Sequence, residues 1–269
     1  MTDTTTNTTT NVMAGTVALV TGAGSGIGRA AALSLAREGA AVAALGTTGP
    51  DLDEAVAAIW AEGGEAIPIV ADISDAAAMA AAMETVGTTW GRLDTVFANA
   101  GINGVWAPLD DLTVAEWERT LRVNLTGTFI TVQSALPLLR ARGGSIIITA
   151  SVNGTRNFSN TGATAYSVSK AGQLAFAKMI ALELAPQKIR VNVICPGAVN
   201  TAINGKTTIR NVDRVRIPVD YPLGAHPLLG APADAEDIAP LVLFLASDAA
   251  RHISGTEMWI DGAESLLRG

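Results

Sequence analysis

The sequence predicts an α/β domain: a doubly wound parallel sheet of about seven strands, with helices on both faces. Three observations carry this. Short apolar runs alternate with stretches of strong helix formers along the chain, with no internal repeat and no linker that would split it. Of the 269 residues, 49% are hydrophobic and only 16% charged, which suits strands buried on both faces. Residues able to do chemistry stand just past several of the strand ends, where such sheets bind ligands.

The elements follow in order. Met1–Asn11 is polar, without the basic and apolar regions of a secretory signal, so residues 1–12 are expected to be a disordered polar tail and 13–269 a single domain. The apolar run Thr16–Val20 opens a first strand, 16–21. Strong helix formers from Arg29 to Glu38, stopped by Gly39, give a helix over 26–38. Further strands are expected near 41–45, 66–70, 93–98, 145–150, 189–195 and 257–260. Helices are expected near 51–62, 75–90, 113–140, 164–185 and 235–247. Segment 198–230 reads as a lid over the site.

Composition narrows the function. A net charge of −7 argues against a nucleic-acid partner. No apolar run approaches the length of a membrane span. His226, His252 and Cys195 form no ligand cluster, so no metal is expected. Cys195 closes the run Ile189–Cys195 as a small buried hydrophobe, and a single cysteine suits a cytoplasmic protein without disulfides.

Two motifs stand out. In Thr21-Gly22-Ala23-Gly24-Ser25-Gly26-Ile27-Gly28, glycines between a strand and a helix let the backbone approach a pyrophosphate at the helix N-terminus. A tight turn without a ligand is the competing reading. In Tyr166-Ser-Val-Ser-Lys170, helical geometry would place both side chains on one face, about one turn apart. A phenol ionises near about pH 10, and a fixed ammonium beside it would favour the phenolate.

Together with Asn99-Ala100-Gly101, Asn124, Ser151 and Pro196-Gly197, these motifs resemble the short-chain dehydrogenase/reductase family in its single-domain branch, similar to 3-oxoacyl-carrier-protein reductases. The resemblance covers nearly the whole chain after Met13. It implies a Rossmann-type fold and NAD(P)(H)-dependent hydride transfer between nicotinamide and a secondary alcohol or ketone. Tyr166 would then be the acid/base. Lys170 would lower its pKa and hold the nicotinamide ribose, Ser151 would bond the substrate oxygen, and Asn124 would fix a water beside Lys170. Cofactor contacts would come from Gly22, Ser25, Gly26, Ile27, Gly28, Thr47, Asp72, Ile73, Asn99, Ala100, Gly101, Tyr166, Lys170, Pro196, Gly197, Val199 and Thr201. For Asp72, capping the following turn competes with contacting adenine. Ser151, Asn153, Tyr166 and Trp106 would face the substrate, with His226 a further candidate for the pocket wall. Family members are mostly tetramers, so a homo-oligomer is expected, with Met258, Trp259, Leu266 and Leu267 candidates for subunit contacts.

Three points depart from the family pattern or lie outside it. The loop from Ser151 to Tyr166 is about two residues longer than usual. Gly46-Thr47-Thr48, after the second strand, holds neither acid nor base, which leans toward NADP. Lys206, Arg210 and Arg214 recur every four residues in the lid. If helical they form a basic stripe, which with Arg156 would steer an anionic substrate or else simply be solvated. Two other functions share these residues: an acyl-carrier-dependent 3-ketoacyl reductase, and a non-catalytic dinucleotide-binding regulator.

Overall fold

The computed structural model describes residues 11–219, 221 and 224–267. Its centre is a parallel sheet of β1 (Val17–Thr21), β2 (Ala41–Gly46), β3 (Glu65–Val70), β4 (Thr95–Ala98), β6 (Gly144–Thr149), β7 (Ile189–Pro196) and β9 (Glu257–Ile260), in the order β3-β2-β1-β4-β6-β7-β9. β5 (Val105–Trp106) and β8 (Thr208–Ile209) form a separate parallel pair. The sheet order reverses between β1 and β4, so a crevice opens at their carboxyl ends.

Strand alternation divides the core in two. Val17 and Leu19 face the layer of α3 (Ala76–Trp90), α5 (Gly127–Leu139) and α6 (Thr164–Leu184). Ala18 and Val20 face α1 (Gly26–Arg37), α2 (Gly49–Ala61) and α7 (Ala235–Ala246). Helix ends follow local chemistry: Asp75 caps α3 through the Ala77 and Ala78 amides, and Gly91 ends it at φ 66°. No described helix is long and apolar enough to cross a membrane.

Three expectations change. The single helix over 113–140 is instead α4 (Val114–Leu121), a π-helical turn at Arg122–Thr126, and α5. The extra residue of the π turn carries Asn124, fully buried. The lid's basic stripe is not helical: β-branched Thr207–Ile209 extends to pair with β5, and Asn211 at φ 52° breaks the chain before a short 3-10 turn, Val212–Arg214. Of the expected tail, 1–10 lies outside the described residues, while the Val12 N–H bonds Glu38 at 3.2 Å and the Asn11 carbonyl accepts from Ala14.

The lid is pinned at both ends in one place. Val199 and Ala233 form a bridge, the Asn200 N–H donates to the Ala233 carbonyl (2.8 Å), and the Ala233 N–H to the Ala198 carbonyl (3.0 Å).

Candidate active site

Two cavities meet at the carboxyl ends of the central strands. One, of about 340 Å³, lies between the β1–α1 turn, the ends of β4, β6 and β7, and the lid. The other, of about 390 Å³, lies against the turn after β2 and the start of α2. Gly22, Ser25, Ala100, Gly101 and Lys206 line both.

The glycine turn shapes the junction. Gly22 holds φ 70°, and a Cβ there would lie 3.1 Å from the Ala100 Cα. Ser25 caps α1 by backbone alone, which leaves the first-turn amides open on a wall of Ser25, Gly26 and Ile27. Such a cradle fits a pyrophosphate. Gly28 lines neither cavity. A Cβ there would come within 2.2 Å of the Gly22 carbonyl, so the glycine lets α1 seat against the turn. Thr21 ties the turn to β4, its hydroxyl accepting from the Asn99 and Ala100 amides, both at 3.0 Å. The Asn99 side chain is held between the Thr21 carbonyl (3.2 Å) and the Thr149 hydroxyl (3.1 Å) while lining the 340 Å³ cavity.

Ser151, Tyr166 and Lys170 share the 340 Å³ cavity. Ser151 leaves β6 in extended backbone, its hydroxyl accepting from the Asn153 amide at 3.1 Å. Burial raises the Tyr166 pKa, and a hydrogen bond from Ser151 pulls it partly back. The expected lowering by Lys170 is not seen: the ammonium donates to the Thr149 carbonyl at 2.7 Å and stands 5.6 Å from the Tyr166 ring centroid. Burial brings Lys170 down to about 8, against a small opposing effect of Cys195.

Asn124 does not reach the cavity. Its amide bonds Ile102 reciprocally, accepting from the N–H and donating to the carbonyl, both at 2.8 Å, and donates to the Ser169 hydroxyl at 3.0 Å. With Oδ1 only 3.0 Å from where a Gly101 Cβ would sit, its side chain fixes the Asn99–Ile102 turn behind Lys170.

The remaining expected contacts divide between the cavities. Asn153, Trp106, Pro196, Gly197, Val199 and Thr201 line the first; Thr47, Asp72 and Ile73 line the second. The Asp72 carboxylate also accepts from the Ser74 amide at 2.8 Å, the turn-capping contact expected of it. Other candidates lie elsewhere. Arg156 stacks 3.5 Å over Trp259, and His226 lies 3.5 Å from Glu264. Arg210 pairs with Glu116 at 2.8 Å, and Arg214 with Asp110 and Asp111 at 3.0 and 2.8 Å. Two residues were missed. Asp51 and Arg119 line the second cavity beside Thr47 and Thr48. Asp51 lies five residues past β2, beyond the stretch where an acid was sought, and Arg119 comes from the distant α4.

A turn shaped for pyrophosphate, beside a half-buried tyrosine and a buried serine and lysine at a parallel sheet's switch point, defines a dinucleotide-dependent enzyme. A family model described as enoyl-(acyl carrier protein) reductase matches residues 22–263. The crystal structure of a 3-ketoacyl-ACP reductase from Sinorhizobium meliloti 1021 has a TM-score of 0.90 and 49% identity, covering 94% of this chain and 100% of that one. Levodione reductase of Leifsonia aquatica is 34% identical, covering 93% of this chain and 94% of the relative. Carveol dehydrogenase from Mycobacterium avium, in complex with NAD, has 30% identity and a TM-score of 0.85, covering 95% and 99%. The chain belongs to the short-chain dehydrogenase/reductase family, and is a nicotinamide-dependent oxidoreductase of alcohols and ketones.

Proposed function

We propose that the protein interconverts a small secondary alcohol and its ketone, with Tyr166 moving the proton and Ser151 holding the reacting oxygen. One observation carries this reading: Tyr166 and Ser151 line one cavity that runs unbroken into the glycine turn. A bound nicotinamide supplies or takes the hydride. In reduction the Tyr166 hydroxyl gives its proton to the carbonyl oxygen, while the Ser151 hydroxyl stabilises the charge developing there. In oxidation the same oxygens work in reverse. Lys170, anchored on Thr149, keeps a positive charge behind the tyrosine and is suited to bonding the nicotinamide ribose.

The cofactor proposed is NAD. The lean toward NADP rested on Gly46–Thr48 alone, and Asp51 adds a carboxylate to the same wall, able to accept from a ribose hydroxyl and to repel a phosphate. The two threonines and Arg119 are the groups that would act in the other direction. We also propose a cytoplasmic homotetramer, in keeping with family members in general and with the single buried Cys195.

A panel of alcohols and ketones, screened with both cofactors by absorbance of the reduced nicotinamide, tests the reading. Tyr166→Phe should cut turnover by at least a thousandfold (roughly the upper part of what acid–base groups contribute) with cofactor affinity nearly unchanged. Residual turnover close to wild type would remove Tyr166 from the reaction. A second reading, a 3-ketoacyl reductase acting on acyl carrier, is favoured by the Sinorhizobium relative. An acyl-carrier thioester consumed much faster than simple ketones would establish it.

A further inference from the structure

Of the lid's three regularly spaced cations, two are engaged. Arg210 is bound bidentately by Glu116, and Arg214 bridges Asp110 and Asp111. Lys206 has no ion pair among the described residues, yet it lines both cavities. The other four residues common to the two come from the β1–α1 turn and the end of β4. Lys206 alone comes from the lid.

Its backbone is fastened on both sides. The Lys206 N–H donates to the Ile203 carbonyl at 3.1 Å, closing a 3-10 turn at Asn204–Lys206. The next residue, Thr207, accepts from the Asn103 side chain at 2.7 Å, and the Arg210 N–H donates to the Trp106 carbonyl at 2.9 Å. The exposed lysine is therefore held by its main chain over the seam, while its side chain stays free to move.

The seam is where a dinucleotide spanning both cavities would place its pyrophosphate. That group carries two negative charges and would enter a protein of net charge −7, with Asp51 in one wall of its site. From the β1–α1 side it meets backbone amides and the positive end of α1. We propose that Lys206 is a second pyrophosphate-binding group, contributed by the lid, so that cofactor affinity and lid closure are coupled through one charge-assisted contact. This rests on the dinucleotide reading given above. It also gives the basic stripe a divided role: Arg210 and Arg214 moor the lid, and Lys206 binds.

Fluorescence titration with NADH, with NADPH in parallel, and competition with ADP-ribose or adenosine test the assignment on Lys206→Gln, Lys206→Glu and Lys206→Arg. Loss of one charge-assisted bond should weaken NADH and ADP-ribose by about tenfold in Lys206→Gln. The loss should be larger in Lys206→Glu and mostly restored in Lys206→Arg, with adenosine within about twofold throughout. The salt dependence of NADH binding should flatten in Lys206→Gln. Equal NADH and ADP-ribose affinities in wild type and Lys206→Glu would overturn the assignment. So would a loss confined to the KM of carboxylate-bearing substrates, which would make Lys206 a substrate contact. Failure of the dinucleotide reading itself looks different: wild-type protein would then bind neither reduced dinucleotide nor ADP-ribose.

Discussion

At Tyr166 burial and hydrogen bonding shape how the proposed proton transfer varies with pH. Burial raises its pKa, so the phenol keeps its proton and is ready to act as an acid. Ketone reduction should therefore hold level through neutral pH, while alcohol oxidation, which needs the phenolate, should climb into the alkaline range. Initial rates in both directions from pH 6 to 10 check this, and oxidation falling with pH would contradict it. Lys170 makes a separate prediction. Its ordinary value of 10.5 is lowered to about 8, so between those limits the folded protein binds fewer protons than the unfolded chain, and stability attributable to this residue rises with pH. Below pH 8 the buried charge is a cost. Lys170→Met should raise the melting temperature by a few degrees at pH 7 and by less at pH 10, while abolishing turnover; thermal melts at both values read this out. Most site residues were legible because the backbone fixes them: Gly22, Ser151, Tyr166 and Pro196 are set by strand ends and helix phase. What was hidden depended on tertiary surroundings. Nothing in the order of residues shows that Asn124 would spend its amide on Ile102, or that Lys170 would stand nearer Thr149 than its phenol partner.

Among the elements, α4 and the lid depend on each other. Glu116 closes the capping box of α4, accepting from the Thr113 amide at 2.9 Å, and also receives Arg210 from the lid. These bonds hold its carboxyl near about 2, with Arg210 the largest cause. A depressed carboxylate contributes stability above its unfolded value of 4.5 and loses it as pH falls toward 2. Arg210→Gln should leave α4 capped but loosen its grip on the lid. Hydrogen exchange across 203–217 should quicken several-fold with little change in the sheet, and unaltered exchange there would show that the pair does not moor the lid. The helix expected over 113–140 was close in extent, but periodicity alone could not reveal the π turn inside it. The lid failed for a clearer reason. Four-residue spacing of cations forms a stripe only on a helix, whereas β-branched Thr207–Ile209 has a partner strand over a hundred residues earlier that no local pattern discloses.

For the molecule as a whole, the parallel sheet was the most legible feature, because alternating faces and regular strand–helix order leave few other topologies. Its outer surface carries large exposed apolar side chains, among them Met179 and Leu182 of α6 at 76% and 81% exposure and Leu266 at 69%. If the homotetramer proposal holds, such residues are covered by other copies. Met179→Lys with Leu182→Asp should then lower the mass measured by light scattering, whereas a mutant mass equal to wild type would place the interface elsewhere. The bridge between Val199 and Ala233 has one further consequence. Because the excursion leaves and rejoins the body through a single doorway, its interior can lengthen, shorten or change chemistry without disturbing a strand of the seven-stranded sheet. Evolution can therefore redecorate the substrate chamber as an exchangeable cassette while the hydride-transfer machinery beneath it stays fixed.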